Sequence, residues 1–341
     1  MIWFDLDNTP HVPLYNPVFK ELKRRDANFF VTARDFAQTK ELLKLFNIEH
    51  ELVGVHAGKN KINKVINLFT RASLLKKIVK SKKIRLAVSH GSRTQLLAAK
   101  QLGIKSLLML DYEFTESKIF NALATKLLMP VYLPDKRLEK AGFNLKKVIR
   151  YNGFKEELYL KDFQPDDDFR ISIGIDNKQI LIIFRPPSMV GNYHDSKSEE
   201  LLSAGLKYFS NFPNTICLIV NRTRVEQKFI KERFTNISNI RFLEKAVDGL
   251  QLLYAADIAV SGGGTMNRES ALLGTETYSI FTGRRPYLDE YLQEEGKLTF
   301  IKDPKDFEKI IVERKGKKFK YDQSKNLASE ITELIIQLSK Q

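Results

Sequence analysis

The 341-residue sequence has almost no cysteine: Cys217 stands alone, so no disulfide closes within the chain and no Cys-based metal site can assemble. It lies in the apolar run Ile216 to Val220 and reads as a reduced core residue. No apolar run approaches the roughly 18 residues needed to span a bilayer. The opening, Met1-Ile2-Trp3-Phe4-Asp5, lacks the basic start of a signal peptide, and the expectation is a cytoplasmic chain. Hydrophobic residues at 43% and charged residues at 28% exclude disordered and collagen-like classes. At roughly 150 residues per domain, the length implies two domains, each able to bury its own core.

The most informative absence is of acid. From Leu52 to Leu110 there is no Asp or Glu, while thirteen Lys and Arg residues fall in that stretch; the remainder of a chain with net charge +15 is nearly neutral. The basicity is local. Between Lys59 and Lys83, Ile62, Val65, Ile66, Phe69, Ala72, Leu75, Ile78 and Val79 recur at helical spacing with lysines between them. Such a helix suits an anionic membrane surface, giving peripheral contact with the inner face of the membrane. The alternative is an apolar stripe packed on a sheet with only its basic face outside. Nucleic acid is not expected, because no aromatic stacking platform or base-reading motif accompanies the charge.

Apolar runs alternate with amphipathic segments along the chain. Strands are expected near Met1–Asp5, Phe29–Thr32, Arg85–Ser89 and Lys105–Leu110, with helices near Tyr15–Arg25, Gln38–Phe46 and Thr94–Leu102. After an acidic stretch around Gln164–Asp168, further strands are expected near Gln179–Phe184, Thr215–Val220, Ile240–Leu243, Ile258–Val260 and Thr277–Phe281, and a final helix near Asn326–Ser339. The fold class is α/β: two Rossmann-like domains, 1–163 and 169–320, facing a cleft, followed by a C-terminal helix in 321–341. In parallel sheets of this kind ligands bind at the C-terminal ends of strands.

Chemistry-bearing residues gather at those ends. Gly262, Gly263 and Gly264 follow an apolar strand and precede a helix, where backbone N–H groups and the helix dipole favour a phosphate. Thr265 is expected to cap that helix. Glu269 lies one turn further on, on the same face, placed to bind the hydroxyls of a ribose. Arg185 in Arg185-Pro186-Pro187-Ser188, Asn221-Arg222, and Arg284-Arg285 end other strands of the second half and suit a diphosphate. In the first half, Asn8-Thr9-Pro10-His11 follows the first strand, with a helix expected from Leu14 or Tyr15. His11 is the candidate general base, its imidazole titrating near neutrality. His90-Gly91-Ser92 ends another strand, and Asp111 and Glu113 follow the next.

Asp5-Leu6-Asp7-Asn8-Thr9, with Thr32, also matches the D-x-D-x-T pattern of haloacid-dehalogenase phosphatases, in which the first Asp is the nucleophile. That chemistry needs a later acidic pair for Mg²⁺, and Ser89-His90-Gly91-Ser92 stands in its place.

Gly262–Gly264 with Glu269 and Gly274 resembles the nucleotide-binding motif of the GT-B superfamily, which includes nucleotide-sugar glycosyltransferases and nonhydrolysing UDP-N-acetylglucosamine 2-epimerases. The opening signature, with Thr32-Ala33-Arg34-Asp35 and Tyr151-Asn152-Gly153, is similar to the family catalogued as domain of unknown function 354, placed in that superfamily. The resemblance implies that Gly263, Gly264 and Thr265 meet the diphosphate, Glu269 the ribose and His11 the reacting centre, with Asn8, Thr9, His90 and Ser92 on the acceptor side. Relative to the epimerases, His90-Gly91-Ser92 replaces a Gly-Asp-Thr turn, and Phe184 replaces a His before the Arg of the second domain. These departures favour a metal-independent transferase, moving sugar from a UDP-sugar to a glycan or lipid-linked acceptor without a cofactor. An epimerase-like isomerase, a noncatalytic nucleotide-sugar-binding protein and the phosphatase are the alternatives.

Overall fold

A computed structural model describes the chain apart from residues 37, 56–60, 188–195, 222–223, 235–236, 246, 317–318 and 320–324, and only the backbone of 61–64 and 224–225. Lys59, Ser188 and Arg222, with the side chains of Lys61, Ile62 and Lys64, therefore lie outside the described residues. The chain divides into two units, Met1–Lys161 with Asp322–Gln341, and Asp162–Tyr321.

The first unit runs β1 (Ile2–Leu6), α1 (His11–Arg24), β2 (Phe29–Asp35), α2 (Thr39–Leu45), β3 (Glu51–Val55), α3 (Lys61–Val79), β4 (Leu86–His90) and α4 (Arg93–Gln101). It continues through β5 (Lys105–Met109), α5 (Ser117–Leu123), β6 (Lys126–Pro130), α6 (Asp135–Lys140), β7 (Val148–Tyr151) and α7 (Glu157–Leu160). The strands form one parallel sheet in the order β3-β2-β1-β4-β5-β6-β7. β1 is buried throughout, as a central strand covered on both faces must be. Its alternation sends Ile2, Phe4 and Leu6 to the core beneath α1, where Val12, Tyr15, Val18 and Phe19 pack. Trp3 joins the opposite core with Ala72, Leu75 and Val79 of α3 and Ala98 and Ala99 of α4. Asp5 shares the Trp3 face by the same period of two.

The second unit runs α8 (Phe169–Ser172), β8 (Ile180–Arg185), α9 (Ser196–Ser210), β9 (Thr215–Ile219), α10 (Arg224–Arg233), β10 (Ile240–Phe242) and α11 (Gly249–Ala255). β11 (Ile258–Ser261), α12 (Gly264–Leu272), β12 (Glu276–Ser279), α13 (Tyr287–Glu294) and β13 (Thr299–Phe300) complete it. Its sheet is also parallel, in the order β10-β9-β8-β11-β12-β13. Ile182, Phe184, Val260 and Cys217 meet Leu206 and Phe209 in its core, and burial pushes the Cys217 thiol well above its ordinary range. The last helix, α14 (Leu327–Lys340), belongs to the first unit: Leu327, Ala328, Ile331 and Ile335 enter the core beside β1 and α1. Asn326 caps it by accepting from the Ser329 N–H.

The fold follows the expected alternation, with β3, β6, β7 and β13 as additional strands. α1 begins at His11 rather than Leu14 or Tyr15, because the Asn8 and Thr9 carbonyls accept from the N–H groups of His11 and Val12 and run the turn straight into the helix. Among the described residues, no helix is long and apolar enough to cross a membrane.

Candidate functional site

At the C-terminal edge of the first sheet, polar residues form an inner and an outer layer. The inner layer is fully buried. Arg71 of α3 donates from Nη1 to Asp5 Oδ2 at 2.8 Å and from Nη2 to Asp5 Oδ1 at 2.7 Å, while its Nε donates to the Val53 carbonyl at 2.8 Å. Thr32 and Ser92 donate to the same carboxylate at 2.7 and 2.6 Å, and Arg71 also donates to Thr94. Burial alone would raise the Asp5 carboxyl; the Arg71 charge and these hydrogen bonds outweigh it and hold the group below its usual range. Asp5 is thus an interior ion-pair partner, a geometry unsuited to a phosphatase nucleophile. Ser92 serves the same network and caps α4 by accepting from the Gln95 N–H at 3.3 Å, after a turn in which Gly91 adopts φ +70°. Arg71, counted among the thirteen basic residues, contributes nothing to the surface charge.

The outer layer holds the histidines and their charged neighbours. Arg34 pairs with Asp7 at 2.6 Å, and Thr9 bonds Thr39 at 3.1 Å, while Asn8 is exposed. His11 is 6% exposed at the start of α1, and its Nδ1 accepts the Asp7 N–H at 3.1 Å. That bond fixes the neutral tautomer with hydrogen on Nε2. Burial first, then the neighbouring His90 ring and the Lys155 charge, push the His11 pKa well below its ordinary value, so the imidazole stays neutral and acts as a donor at Nε2. The neighbouring ring is His90, with centroids 5.1 Å apart. His90 Nε2 lies 3.1 Å from Asp111 Oδ1, and Lys155 Nζ donates to Asp111 Oδ2 at 2.5 Å. A carboxylate beside Nε2 places the ring hydrogen there and leaves Nδ1 of His90 as the acceptor. Glu113 is buried at the same edge.

The structure brings His11, His90 and Asp111, each expected at a strand end, to one place, and adds Lys155, which the sequence does not single out. Lys155 follows β7, a strand unrecognised in the sequence, and only the strand order β5-β6-β7 brings it to Asp111.

In the second unit, β8 and β11 end side by side, with Arg185 opposite Ser261. Gly262 donates its N–H to the Arg185 carbonyl at 3.2 Å, and the Arg185 guanidinium reaches Met266 Sδ at 3.9 Å in the first turns of α12. The helix cap is Gly263, with no side-chain bond, and Gly264 is the first helical residue. Thr265 therefore lies inside the helix and does not cap it, because the glycine pair reaches helical geometry one residue too early. Glu269 is half-buried one turn along. Behind it, Arg268 pairs with Asp289 at 3.0 Å in the interior and Asn267 bonds Ser279 at 2.9 Å, fixing the helix to the sheet. Asn221 follows β9, and Arg285 stacks over the Phe300 ring at 4.5 Å.

Gly262 is there for space. A Cβ at this position would meet Pro187 Cα at 2.6 Å and Pro187 N at 2.9 Å, both backbone atoms. Gly262→Ala is expected to destabilise the second unit by about 1–3 kcal/mol, read as a lower urea midpoint. A variant as stable as the parent chain would show that the β8 and β11 loops are not so closely apposed.

Among the described residues, no group of three or more His, Cys, Asp or Glu is placed to hold a metal ion. Two parallel sheets with interleaved helices and a C-terminal helix define a two-domain GT-B-like fold. The model of the family described as Protein of unknown function (DUF354) matches residues 1–339, and the chain belongs to that family. It is 27% identical over 326 residues to the uncharacterized protein MJ0665 of Methanocaldococcus jannaschii, covering 93% of this chain and 92% of that one. Its fold is similar to the UDP-GlcNAc 2-epimerase of Neisseria meningitidis bound to UDP-GlcNAc, with TM-score 0.75, 14% identity and 98% and 99% of the two chains covered. The Methanocaldococcus jannaschii UDP-GlcNAc 2-epimerase in complex with UDP-GlcNAc and UDP gives TM-score 0.75 at 11% identity, with the same coverage. Anabaena HepE in complex with UDP and glucose gives 0.58 at 13% identity, covering 99% and 97%.

Proposed function

We propose that this protein is a glycosyltransferase that moves a sugar from a UDP-sugar to a hydroxyl acceptor, with a glycan or lipid-linked acceptor as the expected class. The observation that carries this reading is the Lys155–Asp111–His90 chain, which leaves one ring nitrogen of an oriented imidazole as a proton acceptor. His90 Nδ1 takes the acceptor hydroxyl proton as the acceptor oxygen bonds to the anomeric carbon and the bond from that carbon to the diphosphate breaks. Asp111 stabilises the imidazolium that forms, and Lys155 holds the other Asp111 oxygen. His11, assigned as base on sequence grounds, takes instead the part of a neutral hydrogen-bond donor. The UDP leaves with its charge met by the N–H groups at Gly263, Gly264 and Thr265 and by Arg185, with Asn221 and Arg285 at the same strand ends and Glu269 on the ribose.

The likeness in fold to two UDP-GlcNAc 2-epimerases, one bound to UDP-GlcNAc and one in complex with UDP-GlcNAc and UDP, supports a second reading, an isomerase that needs no acceptor. Nucleotide binding is common to both and is tested first. UDP at about a hundred times its dissociation constant stabilises its host by roughly 2.7 kcal/mol. A rise in melting temperature is therefore expected for the native chain, with a smaller one for Glu269→Ala and Arg185→Ala. If no nucleotide shifts the native melting temperature, the nucleotide-sugar reading fails.

A further inference from the structure

The basic helix α3 divides into two stretches with different surroundings. In its C-terminal half, Ala72, Leu75 and Val79 return to one side and pack against Trp3, Val53, Ala87 and Ala98. In the N-terminal half, Leu68 is half-buried while three apolar side chains face outward: Val65 is 57% exposed, Ile66 56% and Phe69 58%. At about 100° per residue, these three share a face turned away from the core, and Lys76, Lys77 and Lys80 continue the same face along the helix. The end of β3 is tied to this helix by Asn67, which donates to the Val55 carbonyl at 2.9 Å, and Val55 is itself 65% exposed. The stripe that the sequence suggested would pack on the sheet does so only in part.

The charges that this part of the chain contributes are of one sign. No acid occurs between Leu52 and Leu110, a span that includes α4, packed against α3, and the strands on either side of α4. Acids from outside the span pair with some of its residues: Glu51 with Lys82 at 3.4 Å and Glu116 with Arg93 at 2.8 Å, and, in the interior, Asp5 and Asp7 with Arg71. A second copy of the chain meeting this face would set lysine against lysine. A nucleic acid has no use for three aliphatic and aromatic side chains clustered ahead of the charge. An anionic lipid surface accommodates both features, with Val65, Ile66 and Phe69 entering the boundary between headgroups and acyl chains and the lysines lying along the phosphates. We infer that the outer face of α3 docks the protein on anionic lipid bilayers. None of Val65, Ile66, Phe69, Lys76, Lys77 and Lys80 has a part in the proposed transfer, so the inference holds or fails independently of it.

The test is co-sedimentation of the full chain with phosphatidylcholine vesicles, with and without phosphatidylglycerol, accompanied by light scattering in the absence of lipid. Binding is expected only where phosphatidylglycerol is present. Phe69→Ser is expected to weaken it about tenfold, and the combined Lys76→Glu, Lys77→Glu and Lys80→Glu variant to abolish it, both with unchanged melting temperature because the replaced side chains are outside the core. Absence of binding by the native chain, or equal binding to neutral vesicles, overturns the inference. So does a native dimer that these variants convert to monomer, which would make the face a contact between copies.

Discussion

Replacing Arg71 by methionine is expected to destabilise the first unit by about 3–5 kcal/mol, because it leaves the Asp5 carboxylate buried without its counter-charge. At about 2–4 °C per kcal/mol, the melting temperature falls by roughly 10 °C. The pH dependence reverses sign as well. In the native chain the folded Asp5 pKa lies below its unfolded value, so its contribution is present above the unfolded value and is lost as pH falls through the folded one. In Arg71→Met the isolated carboxyl is raised, the folded state binds the extra proton, and the variant loses stability as pH rises. Pairing the change with Asp5→Leu is expected to recover most of the loss, since an apolar pair leaves no buried charge. Melting curves of the three variants at acid and neutral pH measure this; an Arg71→Met chain that melts with the native one contradicts it.

The second large effect is on turnover. His90→Asn and Asp111→Asn are expected to lower kcat by about 10²- to 10⁴-fold, while the rise in melting temperature with UDP stays at the native value. The first change removes the acceptor nitrogen; the second removes the carboxylate that fixes the tautomer. His11→Asn removes a neutral donor and is expected to cost less. Steady-state rates alongside UDP-dependent melting separate the two contributions, and a His11 variant that loses more turnover than His90→Asn would return the base to His11.

The architecture was legible because both sheets are parallel: each buried strand announces itself as an apolar run and each crossover helix as an amphipathic one. β6 was harder, since Lys126-Leu-Leu-Met-Pro130 is short and ends in proline, and the two residues of β13 carry no periodic signal. Gly262 to Glu269 was readable as a strand-to-helix turn, yet its cap was misassigned to Thr265 because side-chain preference at caps does not anticipate a glycine start.

Other features required three dimensions. Arg71 looks like its lysine neighbours in the sequence, and its difference comes from a place in the turn of α3 that faces Asp5, 66 residues away. The helical spacing of Val65, Ile66 and Phe69 was correctly read, but spacing does not say where the sheet beneath a helix ends. The role of His11 depends on which ring nitrogen accepts the Asp7 N–H, a fact no spacing carries. Lys155 became part of the site only through the position of β7 beside β6.

The central claim, transfer rather than isomerisation, is tested most directly by incubating the native chain with a UDP-sugar in deuterated water, with and without a cell lipid or glycan extract. Transfer predicts UDP release that depends on the extract and on His90, with recovered donor free of deuterium on its sugar carbons. Deuterium entering the sugar at an inverted centre without any acceptor would contradict it and make the protein an isomerase.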